Sequence, residues 1–343
     1  MKVYYVYPGR FSPPTKGHFE LVKSAAKSLP HVYVVCSTNP LKQDIFSTEE
    51  SKELWRSYDL PKNVTLTTFE EMGKLGINRK KIVMVRGLRS YEDFQEEKIV
   101  MKLNKEQYGV DKFIYFFSTC GFEGISATKV RTMMQNLELE GLKEFVSPGV
   151  ISALIEKRLN LKNIFLVVGR PGSGKSTFLN MLKEGRDDIV HINTDGFNKE
   201  LKPLLKAHFG EEDLIKVALE REEELKQVIG IPWINLLKQS LLNVPANSHV
   251  FVEIAYGLQP DKPMYNFVGG KVLYLGCDSV NENAKRVNGR NTEHMLPFIR
   301  RIPGWSESKK IAKAENLMIR KIVTSGDLEK TREVAKRFAD ELE

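Results

Sequence analysis

One run of residues, Gly169-Arg170-Pro171-Gly172-Ser173-Gly174-Lys175-Ser176-Thr177, constrains this chain more than any other. A GxxxxGK[ST] pattern works only where a strand hands over to a helix. The loop's backbone N–H groups must converge on one anion, with the helix N-terminus facing it. The flanks meet that condition: Asn163–Val168 is β-rich and a helical pattern follows. Gly169, Gly172, Ser173 and Gly174 then shape a cradle for ATP phosphates, and Thr177 completes the binding run. Lys175 reaches the β and γ oxygens, and the Ser176 hydroxyl ligates Mg²⁺.

That strand opens a second series of alternating elements. The first series has apolar runs at Val3–Tyr7, Val32–Cys36, Val64–Phe69, Ile82–Val85 and Phe113–Phe117, with helical patterns at His18–Ser28, Thr48–Tyr58 and Tyr91–Gln107. Ser47 and Ser90 each precede acidic residues in the manner of a helix cap. Crossovers of this length predict parallel sheets covered on both faces. The fold class read here is α/β: a Rossmann-like nucleotide-binding domain at 1–158, and a domain built around the phosphate loop at 160–343. A closing helix at Val150–Arg158 and a short charged joint separate them.

At 343 residues the chain has room for two cores, and 41% hydrophobic with 28% charged residues argues against disorder. Its opening, MKVYYVYPG, reads as a strand with neither the apolar core nor the cleavage site of a signal peptide, and no run suits a membrane span. A cytoplasmic location is the expectation. Cys36, Cys120 and Cys277 are widely spaced without CxxC and read as buried reduced thiols. The net charge of +8 is spread along the chain, which suits polyanionic small molecules as well as nucleic acid. Oligomeric state is left open, a homo-oligomer included.

The first candidate site lies at Gly9-Arg10-Phe11-Ser12-Pro13-Pro14-Thr15-Lys16-Gly17-His18, where the first strand turns into the first helix. Gly9 and Gly17 permit close backbone approach, and His18 at the helix start can steady an α-phosphate and departing pyrophosphate. Capping or packing is the alternative role for that histidine. About 110 residues on, Ile125-Ser126-Ala127-Thr128-Lys129-Val130-Arg131 again follows a strand and opens a helix. Ser126 and Thr128 can cap it, while Lys129 and Arg131 bring positive charge.

The pair TxGH and ISxTxxR resembles the nucleotidylyltransferase superfamily, which implies attack on the α-phosphate of ATP with release of pyrophosphate. Within it, Asn39-Pro40-Leu41-Lys42 with Ile45-Phe46-Ser47-Thr48-Glu49-Glu50 and Val85-Arg86-Gly87-Leu88-Arg89 through Glu97 are similar to phosphopantetheine adenylyltransferases. So is Asn104 in the helix that follows. The resemblance implies that His18 and Lys42 contact phosphates of ATP and acceptor. It also implies that Arg86 binds the acceptor or the triphosphate, and Arg89 the ATP side. Two positions depart: Gly9-Arg10-Phe11-Ser12-Pro13 stands for the usual GTFDP, and Ser51 ends the FSxEER run. Arg10 is then a candidate replacement phosphate contact, with Phe11 beside it. A GRF turn also occurs in relatives that adenylylate nicotinamide mononucleotide.

In the second series the strand Ile189–Ile192 leads to Asn193-Thr194-Asp195, placing Asp195 where a general base for an acceptor hydroxyl belongs. Glu253, after Val250-Phe251-Val252, is a candidate Mg²⁺ carboxylate, and Arg286 and Arg290 suit a lid over the triphosphate. The remaining histidines, His31, His191, His249 and His294, read as packing or surface groups. The order of features, with His208-Phe209-Gly210-Glu211-Glu212 and the Ser325-Gly326-Asp327-Leu328-Glu329 tail, resembles dephospho-coenzyme A kinase. Together the halves resemble the bifunctional coenzyme A synthase arrangement, with phosphopantetheine as first acceptor. Two alternatives stay open: a fused NMN adenylyltransferase/ribosylnicotinamide kinase, and a nucleic-acid end-processing kinase.

Overall fold

A computed structural model describes residues 3–38, 44–74, 76–88, 91–117, 124–136, 138–139, 141–254, 270–276, 283, 286, 296–324 and 327–342. The chain divides into two compact units, Met1–Val150 and Ile151–Glu343. Each is an α/β unit on a parallel sheet, with strand order β3-β2-β1-β4-β5 in the first and β10-β9-β6-β8-β7 in the second. Among the described residues no helix is long and apolar enough to cross a membrane.

In the first unit the strands are β1 (Tyr4–Gly9), β2 (Val32–Cys36), β3 (Val64–Thr68), β4 (Ile82–Leu88) and β5 (Phe113–Phe117). Between and after them run α1 (Lys16–Ser28), α2 (Thr48–Trp55), α3 (Phe69–Lys74), α4 (Tyr91–Tyr108), α5 (Ala127–Gln135) and α6 (Leu142–Phe145). Helix α1 buries Leu21, Val22, Ala25 and Ala26, spaced to form one apolar stripe. Ser47 caps α2 as its residue type predicts, accepting from the Glu50 N–H while the Glu50 carboxylate accepts from the Ser47 N–H. Ser90 lies outside the described residues. Strand β4 runs past the predicted Val85 because Arg86, Gly87 and Leu88 stay in register with Tyr115, Phe116 and Phe117. Helix α3 was not predicted, since Thr67, Thr68 and Phe69 are β-formers. It starts on a Thr68–Glu71 capping box, with the Thr68 hydroxyl 3.2 Å from the Glu71 nitrogen.

The order of this sheet reverses between β1 and β4, so their carboxyl ends open a crevice of the kind that binds ligands in α/β folds. The surrounding loops are pinned from below. Tyr58, buried, donates to the Pro14 carbonyl at 3.1 Å and accepts from the Ser147 N–H at 3.2 Å. Cys36 is buried as a free thiol, and burial pushes it up to about 12, so it stays protonated. Cys120 and Cys277 lie outside the described residues.

Helix α7 (Pro148–Leu159) carries the division between the units, and the second unit continues with β6 (Asn163–Val168), α8 (Lys175–Lys183) and β7 (Ile189–Asn193). Next come α9 (Phe197–Phe209), α10 (Leu214–Glu220), α11 (Glu222–Leu242), β8 (His249–Glu253), β9 (Lys271–Gly276) and β10 (Met318–Val323). Helices Leu296–Arg301, Trp305–Ala314 and Leu328–Asp340 complete the described elements. Val167, Phe178, Leu179, Leu182, Phe251, Leu273 and Phe338 form the core between the sheet and α8 with the last helix.

The amino edge of this sheet, away from the loop, holds a buried polar network. His249 is 1% exposed, and its Nδ1 accepts from the Asn163 amide at 3.0 Å. Lys271 Nζ donates to Asn163 Oδ1 at 2.6 Å and to Glu156 Oε1 at 2.8 Å. Among the described residues His249 Nε2 has no hydrogen-bond partner, and Asp188 Oδ2 stands 3.9 Å away. Burial pulls this imidazole below its ordinary value of 6.5, Lys162 adds to the fall, and Asp188 opposes it. The unfolded chain therefore takes up this proton more readily than the folded one. The stability His249 contributes is fully present above pH 6.5 and is lost as pH falls below it. Denaturant melts of the full chain between roughly pH 7 and pH 5 should lose stability with acid, and less steeply in His249→Asn. Identical slopes would remove His249 as the cause.

Candidate active sites

In the first unit the GRF turn is shaped from within. A Cβ at Gly9 would lie 2.5 Å from the Phe11 ring, so only glycine allows that ring to fold back. Phe11 has φ of 44°, a left-handed conformation costly for an aromatic residue, and is buried. Its ring meets His18 edge-on at 5.2 Å and Trp55 at 5.0 Å, so it acts as a floor that sets the imidazole plane. Gly17 lies beside Ile125, bringing the two helix starts together.

His18 is both cap and candidate ligand. The Thr15 N–H donates to its Nδ1 at 3.1 Å, so the neutral ring carries its proton on Nε2. A protonated ring would offer both nitrogens as donors. The cap instead commits Nδ1 as an acceptor and puts the ring proton on Nε2.

The ISxTxxR segment reaches the same place. Ser126 caps α5 by accepting from the Lys129 N–H at 3.1 Å, and Lys129 stacks over Phe145. Arg131 donates to the Ser12 carbonyl at 3.0 Å and to the Thr128 hydroxyl at 2.9 Å. The Ser12 hydroxyl in turn accepts from the Ile45 and Phe46 N–H groups at 3.0 and 3.1 Å. Arg10 pairs with Asp44. Burial and then Arg10 pull the Arg131 guanidinium below its usual value, while Asp44 opposes them. Two guanidiniums in mutual range, with one carboxylate in range of both, favour an incoming polyanion.

Arg86, at the carboxyl end of β4, donates Nε–H to Glu97 Oε2 at 2.8 Å and bonds the other carboxylate oxygen through Nη2. This two-pronged pair fixes the guanidinium plane. Lys42 and Arg89 lie outside the described residues.

In the second unit the glycine-rich run forms the loop from β6 into α8. Gly172 and Gly174 take φ of 76° and 85°, the left-handed turns that let successive N–H groups converge. Gly169 has φ of 149°, and a Cβ there would lie 2.0 Å from the Leu275 carbonyl oxygen. Ser173 is fully buried, Ser176 is exposed at the first turn of α8, and Thr177 follows half-buried. Lys175 is buried and curls back on its loop, donating to the Gly169 and Arg170 carbonyls at 2.9 and 3.4 Å. Burial pulls its ammonium below the usual value, and Glu253 and Asp195 oppose this.

Glu253 ends β8 and is 4% exposed. It accepts from the Ser176 hydroxyl at 2.9 Å through Oε1 and bonds His191 Nε2 at 2.8 Å through Oε2. Asp195 follows β7, its N–H bonded to Asn193 Oδ1 at 2.9 Å. The residue is exposed, yet crowding protein atoms hold its carboxyl above the usual value; Lys175 opposes this and Glu253 adds to it. Arg286 approaches the Gly172 carbonyl at 3.4 Å, and the Thr324 hydroxyl donates to the Ser173 carbonyl, bracing the loop from β10. Arg290 lies outside the described residues. Among those described, no cluster of three His, Cys, Asp or Glu residues suits a metal ion.

The cytidylyltransferase-like family matches residues 6–133, within the first unit. A phosphopantetheine adenylyltransferase from Thermotoga neapolitana is 32% identical over 156 residues, covering 44% of this chain and 94% of that protein. Through its first unit the chain belongs to the phosphopantetheine adenylyltransferase family. Relatives of the same name from Mannheimia succiniciproducens, 30% identical over 44% of this chain and 96% of that protein, and Carboxydothermus hydrogenoformans, 29% over 37% and 79%, agree. The first unit is thus a Rossmann-type nucleotidyltransferase domain.

Four residues that touch the candidate groups were not read as site residues from the sequence: Asp44 and Thr324 were not named, Glu97 was named only as the end of the stretch from Val85, and His191 only as a packing or surface group. Asp44 and Thr324 carry no local signal, because their partners are remote in sequence. Glu97 sits 11 residues from Arg86, a separation that only the packing of α4 against β4 makes short. His191 had a signal, since it alternates with Asn193 along β7 and so shares its face. Gly169→Ala should distort the loop, at a cost of about 1–3 kcal/mol of local strain. We expect ATP binding by calorimetry to lose one site's worth of stoichiometry while the far-ultraviolet dichroism is kept. Unaltered binding would show that the loop tolerates a Cβ.

Proposed function

We propose that the first unit transfers the adenylyl group of ATP to 4′-phosphopantetheine, and that the second phosphorylates the resulting dephospho-coenzyme A at its ribose 3′-hydroxyl. The domains would be 1–158 and 160–343. The observation that carries the first step is the convergence of His18 Nε2–H, Arg10 and Arg131 at one sheet edge, within a phosphopantetheine adenylyltransferase-family domain. An acceptor phosphate oxygen attacks the α-phosphorus of ATP and pyrophosphate leaves. The neutral His18 edge donates to the developing charge, and Arg10 and Arg131 hold the departing pyrophosphate. Arg86, held planar by Glu97, orients a phosphate of either substrate.

For the second step, Lys175 releases its loop carbonyls to hold the transferring phosphate, and Asp195 accepts the proton of the acceptor hydroxyl. The Ser176 hydroxyl and Glu253 carboxylate, hard oxygen donors 2.9 Å apart, suit Mg²⁺. When bound, that ion neutralises charge on the β and γ phosphates. This reading rests on the loop geometry and on Asp195, Lys175 and Glu253 lying within mutual electrostatic range.

The purified chain should form pyrophosphate from ATP and phosphopantetheine, and not from ATP and nicotinamide mononucleotide. His18→Ala should lower that turnover by about 10²–10³-fold with an unchanged melting temperature. Full activity in the variant, or preference for the mononucleotide, overturns the assignment. In the second assay, γ-phosphate should enter dephospho-coenzyme A. Asp195→Asn should lose about 10²–10⁴-fold in turnover while still binding ATP. Phosphorylation of nucleic-acid 5′ ends in its place would reassign the second unit.

A further inference from the structure

Glu253 has a second-layer partner that its proposed metal role does not explain. Strands β7 and β8 run parallel, with His191 opposite Phe251 and Asn193 opposite Glu253. Residues two apart along a strand share a face, so His191 reaches Glu253 across one diagonal step. Its Nε2–H donates to Oε2 at 2.8 Å, leaving Oε1 to the Ser176 hydroxyl at 2.9 Å. The Thr194 hydroxyl donates to the Glu253 carbonyl at 2.9 Å, which holds the backbone as well. The terminal torsion of a glutamate is otherwise broad and two-fold, so either oxygen would face the loop. With both side chains largely buried, at 13% and 5% exposure, water competes poorly for these bonds.

We infer that His191 is a positioning residue for metal-dependent nucleotide binding: it anchors one oxygen of Glu253 so that the other stays aimed at Ser176. The inference rests on the proposal that the second unit binds Mg²⁺·ATP at this loop. Hydrogen bonds from a second layer commonly set the orientation and affinity of a metal-binding carboxylate, and their loss typically costs 10–100-fold in metal affinity. His191 does not reach the nucleotide itself. Its effect should therefore appear in the metal term and not in the binding of ATP alone.

The test is calorimetric titration of the full chain with ATP, in EDTA and across a series of Mg²⁺ concentrations, with the binding that remains in Gly169→Ala subtracted as the first unit's own. For the wild type, Mg²⁺ should tighten ATP binding. In His191→Leu the Mg²⁺ concentration for half of that gain should rise about 10-fold, with ATP affinity in EDTA unchanged. His191→Gln keeps an N–H donor and should restore most of the gain. The inference is overturned if His191→Leu matches the wild type in its Mg²⁺ dependence. It is equally overturned if ATP affinity in EDTA falls in parallel, or if His191→Gln fails as badly as His191→Leu, since either marks a merely structural residue. A wild type that binds ATP with no Mg²⁺ dependence would instead overturn the parent reading of the loop.

Discussion

Parallel strand pairing delivers every strand's carboxyl end to the same edge of its sheet, and both units of this protein depend on that constraint. Loops leaving β1 and β4 meet at one edge in the first unit, and loops leaving β6, β7 and β8 meet in the second. Residues far apart in the chain are thereby gathered without any long connection having to search for them. Arg131 donates to a carbonyl 119 residues away, and the Ser176 hydroxyl to a carboxylate 77 residues away. Helix starts lie at the same edges, so backbone N–H groups and cationic side chains face the same space.

The two units hold their cationic groups by different means. In the second, the Lys175 ammonium is buried, and an unpaired buried charge is untenable. Two loop carbonyls and the charges of Glu253 and Asp195 keep it there, which in turn requires a loop that bends back on itself. That bend is what Gly169, Gly172 and Gly174 permit and what Thr324 braces. In the first unit the positive groups are less buried and lean on carboxylates, Arg10 on Asp44 and Arg86 on Glu97. Here the rigid part is apolar: Phe11, held in a left-handed turn against Trp55, sets the plane of His18.

Local patterns determined much of this in advance. The β-rich runs and helix caps fixed the α/β class and most element positions, because periodicity and capping act within a few residues. The GxxxxGK[ST] run fixed a strand–loop–helix, because no other backbone path lets its N–H groups converge. TxGH and ISxTxxR named His18 and Arg131, and membership of the phosphopantetheine adenylyltransferase family agrees with that domain. What the residues could not state alone was which ring nitrogen of His18 donates, since that depends on where the Thr15 N–H points.

The tertiary structure decided the pairings. Strand order placed β7 beside β8, and register set His191 one step from Glu253, turning a histidine that reads as packing into the anchor of a carboxylate. The approach of α4 to β4 brought Glu97 to Arg86, and the end of β10 brought Thr324 onto the glycine-rich loop. Alternation with Asn193 gives the face of His191, but no partner in these pairs follows from composition or spacing, because each needs two elements whose separation is set by sheet order. The sequence by itself determined which groups stand at the strand ends and that a glycine-rich loop joins β6 to α8. Only the packed sheets decided which of those groups touch, because hydrogen bonds act over about 3 Å and chain separation says nothing at that range.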